Sequence, residues 1–320
     1  MEKVISYTLK EEDLQETAGG LVNLVLKNCV KVTGHEISRA KFTPLGITVD
    51  GLQAYVKDRM KPGQTLRVRF PEDAAQAERI IPCFDTVHVL YEDEDVLVAD
   101  KPAGVVVHPS HGHYADSMAN RLAGYCLLRG EQVIPRIVGR LDKDTSGVLL
   151  FAKNQIAAAR LSRSRKEGGF LRTYLAIVHG TFPEKEGNLT ARLAPVPDML
   201  MKQQVVPEGG RCASTHYRVL CQNASLGASI LAVTISTGRT HQIRVHMASA
   251  SHPLIGDPLY GDPQDAVNAA SCVSAPPARR AMLHAASLSF LQPFTGMVHT
   301  IEAPLPEDFC AVCDAFSFSL

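Results

Sequence analysis

The run Val148-Leu149-Leu150-Phe151-Ala152 narrows the possible fold more than any other feature of this chain. It is short, branched and aromatic, and it is bounded by Gly147 and by the polar pair Lys153-Asn154. A segment of that length and make-up reads as a buried strand. Directly before it comes Val138-Gly139-Arg140-Leu141-Asp142-Lys143-Asp144-Thr145-Ser146-Gly147, which crowds Arg140, Asp142, Lys143 and Asp144 into one short loop. A carboxylate held between cations stays ionised, because opposite charge lowers its pKa. Such a group against a buried strand suits a nucleophile or a general base. The charges alone favour a plainer reading, a surface loop of solvated ion pairs.

At 320 residues the chain has room for two domains, one with a sizeable core. Lys+Arg and Asp+Glu both number 33, so the total charge points to no polyanionic partner. Local basic faces matter more than that total. Trp is absent and aromatics are sparse, which argues against an extended base-stacking platform. No apolar run approaches the roughly 18 residues that would suggest a membrane-spanning helix. The start, Met1-Glu2-Lys3-Val4, lacks an apolar signal core, so the expected location is the cytoplasm. Eight scattered cysteines include a single C-x-x-C pair, Cys310 and Cys313. A zinc site needs about four ligands, so free thiols are expected and no metal.

Residues 1–75 read as a small separate α/β domain. Ala18 to Lys31 has helical character, and Ser38-Arg39-Ala40-Lys41 is expected to cap and open another short element. Gly46-Ile47-Thr48-Val49-Asp50-Gly51 reads as a strand entering an Asp-Gly turn, and Lys61-Pro62-Gly63-Gln64 as a second turn. In Thr65 to Phe70 the arginines share one face of a strand and the apolar residues the other. Residues 76–85 read as a linker and 86–320 as the main domain. There, Val87 to Tyr91, Val96 to Ala99 and Val105 to Val107 read as strands, and Asp116 to Gly130 as a helix. Gln155 to Glu167 reads as a helix with Ala157, Ala158 and Leu161 inward and a basic end, Arg160, Arg163, Arg165 and Lys166. That end suits the helix dipole and phosphate binding equally. Strands are expected over Leu171 to Val178, Ala213 to Leu220 and Ser229 to Ser236. Thr240 is expected to N-cap a helix with Ile243, Met247 and Ala250 on one buried stripe. A tight loop at Leu254 to Gly261, a surface loop at Asp265 to Arg280, a strand from Leu283 to Phe290 and a helix over 307–317 complete the chain.

Three stretches resemble the pseudouridine synthases of the RluA type. They are Arg140-Leu141-Asp142 with Thr145-Ser146-Gly147, then Thr237-Gly238-Arg239-Thr240-His241-Gln242-Ile243-Arg244-Val245-His246, and Lys101-Pro102-Ala103-Gly104-Val105-Val106-Val107-His108-Pro109 after Glu92-Asp93-Glu94. The N-terminal part resembles the S-four-like RNA-binding domain that often precedes these enzymes. Ser38-Arg39, Gly46 to Gly51 and Pro62-Gly63-Gln64 carry that likeness, with Asp50 and Gln64 departing from the usual Asn and Asp. Gly139 stands where RluA-type enzymes commonly have His, and Arg172 where they have Lys.

The resemblance implies an α+β fold: a mixed, mostly antiparallel central sheet flanked by helices, plus the small N-terminal domain. It implies an isomerase that turns uridines of RNA into pseudouridine without metal or cofactor. By the same resemblance Asp142 is the nucleophile, Tyr174 stacks on the target base, and Arg244 pairs with Asp142 and keeps it ionised. Arg140 and Arg239 would hold the substrate, and Arg39 and Lys41 would meet RNA phosphates from the N-terminal domain. The expected partner is RNA, large-subunit ribosomal RNA first and transfer RNA second, with no membrane and a monomeric enzyme. Two other classes compete: a non-catalytic RNA-binding or ribosome-assembly factor on the same fold, and a hydrolase using Asp142 as base. A zinc reading of His241 and His246 fails, since five residues apart on a helix they point about 140° away from each other.

Overall fold

A computed structural model describes residues 2–71, 80–261 and 278–318 of the chain. Their contacts divide into two compact units. The smaller unit takes in the N-terminal residues, with Glu131–Ile134 and Asn154–Ile156 added from later in the chain. Its antiparallel sheet has the order β1-β4-β2-β3, from β1 (Lys3–Thr8), β2 (Ile47–Val49), β3 (Leu52–Gln53) and β4 (Thr65–Phe70). The alternation along β4 is as expected: Leu66, Val68 and Phe70 are buried, and Arg67 faces water. Asp50 and Gly51 both take positive φ, which closes the tight turn between β2 and β3. One short helix, α1 (Val22–Leu24), runs into a wider helical turn over Val25–Cys29.

The next helix, α2 (Gly34–Lys41), corrects the reading of Ser38 to Lys41 as an element's start. Those residues end the helix. Thr33 caps it, its hydroxyl accepting from the Glu36 N–H while the Glu36 carboxylate accepts from the Thr33 N–H. That reciprocal pair is the stronger start signal, and it leaves Arg39 and Lys41 in the last turn, where cations suit the dipole.

The larger unit is built on an eleven-stranded sheet. Its main path runs β11-β10-β12-β13-β9-β14-β8-β6-β5, with β15 (Val298–Glu302) added to β14 and β7 (Arg136–Val138) added to β8. The strands of the path are β5 (His88–Glu92), β6 (Val96–Lys101), β8 (Ser146–Ala152), β9 (Phe170–His179), β10 (Glu186–Val196), β11 (Met199–Val206), β12 (Arg211–Asn223), β13 (Ala228–Ile235) and β14 (Leu283–Leu291). Every pairing is antiparallel except that of β14 with β8. Strand β8 contains the apolar run Val148 to Ala152, and every residue in it is buried. A strand covered on both faces needs apolar residues at consecutive positions.

Further helices are α3 (Met118–Leu128), α4 (Gln155–Lys166), α5 (Gln242–Ser249) and α6 (Glu307–Ala315). Met118, Leu122 and Cys126 form the buried stripe of α3. Val105 to Val107 is not a strand. The carbonyl of Val105 accepts from a lysine, and those of Val106 and Val107 accept from the first N–H groups of α3. With its acceptors spent on a helix start, the segment has no ladder to join. Helix α5 begins after Thr240, because His241 adopts a left-handed φ of 53° and stands at the cap position itself. It is buried on all sides from Gln242 to Met247, not along one stripe. On α6, Cys313 sits in an apolar cluster where burial pushes its thiol up to about 11. Most of the proposed surface loop, residues 265–277, lies outside the described residues.

Register across the sheet sets up the site. Tyr174 on β9 lies opposite Ala285 on β14, and Ala285 lies beside Gly147 on β8. Gly147 has a φ of 107°, and a Cβ there would fall 2.2 Å from the Ala285 carbonyl oxygen. Only glycine allows the parallel strands to approach at that point. The loop carrying Asp142 therefore ends level with Tyr174, across one intervening strand.

His284, wholly buried on β14, shares a hydrogen bond of 2.9 Å with the Ser146 hydroxyl at the same junction. Burial lowers its pKa from 6.5 to about 4. Between those values the unfolded chain binds the proton and the folded chain does not. Its contribution is therefore complete above pH 6.5 and is lost as the pH falls to about 4. We expect unfolding free energy to drop over that window, by up to about 3 kcal/mol from this group. Urea titrations of wild type and His284→Gln test it: the variant's loss should be visibly smaller, and equal losses would clear His284 of the effect.

Candidate active site

A cleft of about 650 Å³ opens beside the β9–β14–β8 junction. Asp142, Tyr174, Arg244, Arg140 and Arg239 all line it. Segments far apart in sequence thus meet at one place. Arg39 and Lys41 belong to the smaller unit and are not among the lining residues.

The Asp142 loop is held mainly through its carbonyl oxygens. Lys101, at the end of β6, is fully buried, and its Nζ donates to the carbonyls of Pro102 (2.7 Å), Val105 (2.8 Å) and Lys143 (2.8 Å). Burial pushes its pKa down to about 7 against the nearby charges of Asp144 and Asp142. Three acceptors require three N–H donors, so the ammonium is the form that satisfies all of them. Arg280 donates from Nη1 to the Asp144 carbonyl at 3.0 Å, and its fork is held by Asp308 at 2.6 and 2.8 Å. On β9, Arg172 donates to the carbonyls of Gly139 (3.2 Å) and Arg140 (3.4 Å) and reaches the Tyr174 hydroxyl at 3.5 Å. The carbonyl of Asp142 accepts from the Thr145 N–H, closing a turn at 3.2 Å. Leu141 is buried, Asp142 half-buried and Arg140 exposed, so backbone alternation turns the two charged side chains of Arg-Leu-Asp away from the core.

Tyr174 is 5% exposed and lines the cleft. It shares its strand face with Ala176 and Val178, which pack in the main core, while Leu175 and Ile177 pack into a second cluster.

Arg244 differs from expectation. Its bidentate partner is Asp257, with Nε to Oδ2 at 2.7 Å and Nη2 to Oδ1 at 2.6 Å, not Asp142. Asp257 Oδ1 also accepts from the N–H groups of Leu259 and Tyr260. Burial works against both charges, yet these hydrogen bonds hold the Asp257 carboxyl below its ordinary range and the Arg244 guanidinium above its own. Asp142 acts on Arg244 through charge alone, more weakly than Asp257 does. The Tyr260 ring lies 5.1 Å from the guanidinium. Its hydroxyl accepts from the Gln203 N–H at 2.7 Å and meets His241 Nδ1 at 3.1 Å. Asp257 was hidden in a stretch that reads only as a Gly- and Pro-punctuated loop.

The loop before α5 is closed by Gln242. Its Oε1 accepts from the Thr237 hydroxyl (2.8 Å) and the Arg239 N–H (3.1 Å), and its Nε2 donates to the Ser214 carbonyl (2.9 Å). Arg239 Nε donates to the Cys212 carbonyl, so its side chain is anchored at the cleft edge. His108 was quoted above only as part of a motif. It also lines the cleft, where burial and then the charge of Arg140 lower its pKa. Among the described residues six cations face the cleft, namely Arg140, Arg165, Lys166, Arg172, Arg239 and Arg244, against one carboxylate, that of Asp142. A chain of zero formal net charge thus carries a strongly positive cleft suited to a polyanion.

Residues 95–249 match the family model described as RNA pseudouridylate synthase. A Bacillus subtilis protein, the uncharacterized RNA pseudouridine synthase YjbO, is 37% identical over 268 residues, covering 84% of this chain and 89% of its own length. The chain belongs to the RNA pseudouridylate synthase family. Ribosomal large subunit pseudouridine synthase D of Neisseria meningitidis is 37% identical over 304 residues, covering 92% of this chain and 78% of that protein. Among solved structures, human RNA pseudouridylate synthase domain containing 4 aligns with a TM-score of 0.59 at 20% identity, covering 73% of this chain and 94% of that one. That likeness speaks for the fold, the mostly antiparallel sheet with helices on it. As a pseudouridine synthase the protein is an isomerase acting on RNA. Among the described residues no helix is long and apolar enough to cross a membrane.

The Arg244–Asp257 pair is buried, with side chains 6% and 0% exposed. Removing one partner of such a pair leaves an uncompensated charge and costs about 3–5 kcal/mol. Arg244→Met should therefore lose stability on that scale in urea unfolding, while Asp142→Asn should not. The double variant Arg244→Met, Asp257→Asn, which removes both charges but keeps the acceptor for the Leu259 and Tyr260 N–H groups, should recover part of the stability. If Arg244→Met is as stable as wild type, the pair is not what holds the Leu254 to Gly261 loop.

Proposed function

We propose that Asp142 is the nucleophile of uridine isomerisation in this enzyme, with Tyr174 as the platform for the base and Arg244 as the group that organises the pocket around both. The observation that carries this reading is the meeting of Asp142 and Tyr174 in one positive cleft, with Asp142 the only carboxylate lining it among the described residues. Making pseudouridine breaks the bond from uracil N1 to the ribose, turns the base and rejoins it through C5. N1 gains a proton and C5 loses one, so nothing is oxidised and no group departs. An attacking carboxylate, a ring platform and a proton route are sufficient. Asp142 supplies the first and Tyr174 the second, and the Tyr174 hydroxyl stands near enough to Arg172 to be oriented by it.

A uridine inside folded RNA cannot reach a half-buried aspartate, so the enzyme extrudes it at a cost of a few kcal/mol. Arg140 and Arg239, both exposed on the cleft, then hold the deformed backbone. Asp142→Asn should keep the fold and RNA affinity and abolish isomerisation. Tyr174→Phe keeps the ring face, worth about 1–3 kcal/mol per stacked base, so affinity should stay nearly level while turnover falls. Carbodiimide mapping of pseudouridines in treated RNA reads both variants. Product from Asp142→Asn would remove the nucleophile assignment.

The likeness to a protein named ribosomal large subunit pseudouridine synthase D supports large-subunit ribosomal RNA as substrate, and a monomer acting in the cytoplasm fits that reading. The small unit acts as an S-four-like RNA-binding domain over residues 1–75, joined by the 76–85 segment to a catalytic domain over 86–320. Arg39 and Lys41 end α2, and the neighbouring Phe42 is 88% exposed, a mixture of cation and ring that suits single-stranded RNA. Arg59 in the same unit donates to the carbonyls of Ala18 and Gly19 and so serves the fold. Replacing Arg39 and Lys41 together with Gln should weaken RNA binding and make its salt dependence shallower by about 1–2 units of slope. An unchanged slope would mean that this unit has another task.

A further inference from the structure

The basic end of α4 divides in a way its sequence does not reveal. Arg160 turns onto the protein, donating to the Pro293 carbonyl at 3.1 Å with its guanidinium 4.5 Å from the centre of the Phe294 ring. Arg163 is exposed and does not line the cleft. Arg165 lines it. Its guanidinium lies so close to Gly238 that a Cβ on that residue would fall 2.5 Å from Nη2. Gly238 has no positive φ, and the end of the Arg165 side chain stands where a Cβ would be. Behind this guanidinium stands Phe170, with its ring centre 5.8 Å away, and Arg172 on the same ring at 5.3 Å. Arg165 is exposed on the cleft, and partial desolvation and then the charge of Arg172 lower its pKa. Among the described residues no carboxylate is paired with it, unlike Arg244 and Arg280 at the same end of the sheet.

We propose that Arg165, seated on Gly238 and flanked by Arg239, is a subsite for one phosphate of the RNA backbone beside the extruded uridine. A guanidinium fork matches two phosphate oxygens. A phosphate there would supply the anion that the protein withholds and would offset the repulsion between Arg165 and Arg172. Arg239 is held by the Cys212 carbonyl on the same loop, so a second cation is already in place at low entropic cost. Gly238 thus serves recognition by making room, and Arg165 is a binding residue with no part in the bond-making. The subsite rests on the reading of the cleft as an RNA-binding active site.

The test uses the full-length enzyme and transcribed large-subunit ribosomal RNA, with filter binding between about 0.05 and 1 M salt. Each phosphate contact contributes about 0.7–0.9 to the slope of log affinity against log salt. Arg165→Gln should make the slope shallower by about that much, weakening binding about fivefold at 0.1 M salt and almost not at all near 1 M. Arg165→Lys should restore the slope, and Gly238→Ala should lower it less than Arg165→Gln does, because the flexible end of Arg165 can shift to clear the added Cβ. Arg163→Gln should leave the slope unchanged. An unchanged slope in Arg165→Gln, an equal fall in Arg163→Gln, or a loss that persists at 1 M salt would each overturn the proposal. Pseudouridine formation is scored separately. A wild-type enzyme that makes none while the slopes still differ would sink the proposed reaction and leave the phosphate subsite standing.

Discussion

Three buried cations hold the loop that carries Asp142, and the rest of the site depends on them. Lys101, Arg172 and Arg280 come from β6, β9 and the entry to β14. Between them they take the carbonyls of Gly139, Arg140, Lys143 and Asp144. A buried carbonyl left without a donor costs about 1–3 kcal/mol, so a loop of this kind cannot sit over a core without such partners. Cations supply the donors and at the same time fill the site with positive potential. One set of side chains therefore shapes the backbone around the aspartate and sets the sign of the potential in the cleft. The arrangement differs from a direct ion pair, which would occupy the carboxylate oxygens that the proposed attack needs free.

The same economy recurs around Arg244. Its fork is committed to Asp257, so its role towards Asp142 is electrostatic and not a hydrogen bond. Asp257 in turn gathers the N–H groups of Leu259 and Tyr260, and Tyr260 ties in β11 and His241. A contact chain thus runs from the β10–β11 hairpin to the helix that carries Arg244. Sheet register does the remaining positioning. With Tyr174, Ala285 and Gly147 side by side, Tyr174 and the loop of Asp142 are separated by one strand, and the close approach of β14 to β8 requires Gly147 to be glycine.

Much of this was readable before any fold was known. The sequence by itself determined the buried strand β8, because five consecutive apolar residues between Gly147 and Lys153 satisfy only a strand covered on both faces. It determined the alternation of β4, the Asp50-Gly51 turn and the stripe of α3, since these depend on local periodicity and local φ preferences. Its motifs also named side chains that the cleft brings together, Asp142, Tyr174, Arg244, Arg140 and Arg239. What only the tertiary structure decided was partnership. Whether Arg244 meets Asp142 or Asp257, whether Arg160 or Arg165 turns to the cleft, and which carbonyls Lys101 satisfies all depend on segments many residues apart. A cation's side chain reaches several candidate partners with similar local cost. Burial, through the penalty on any polar group left unpaired, selects one of them, and burial exists only once the sheet has closed around the loop.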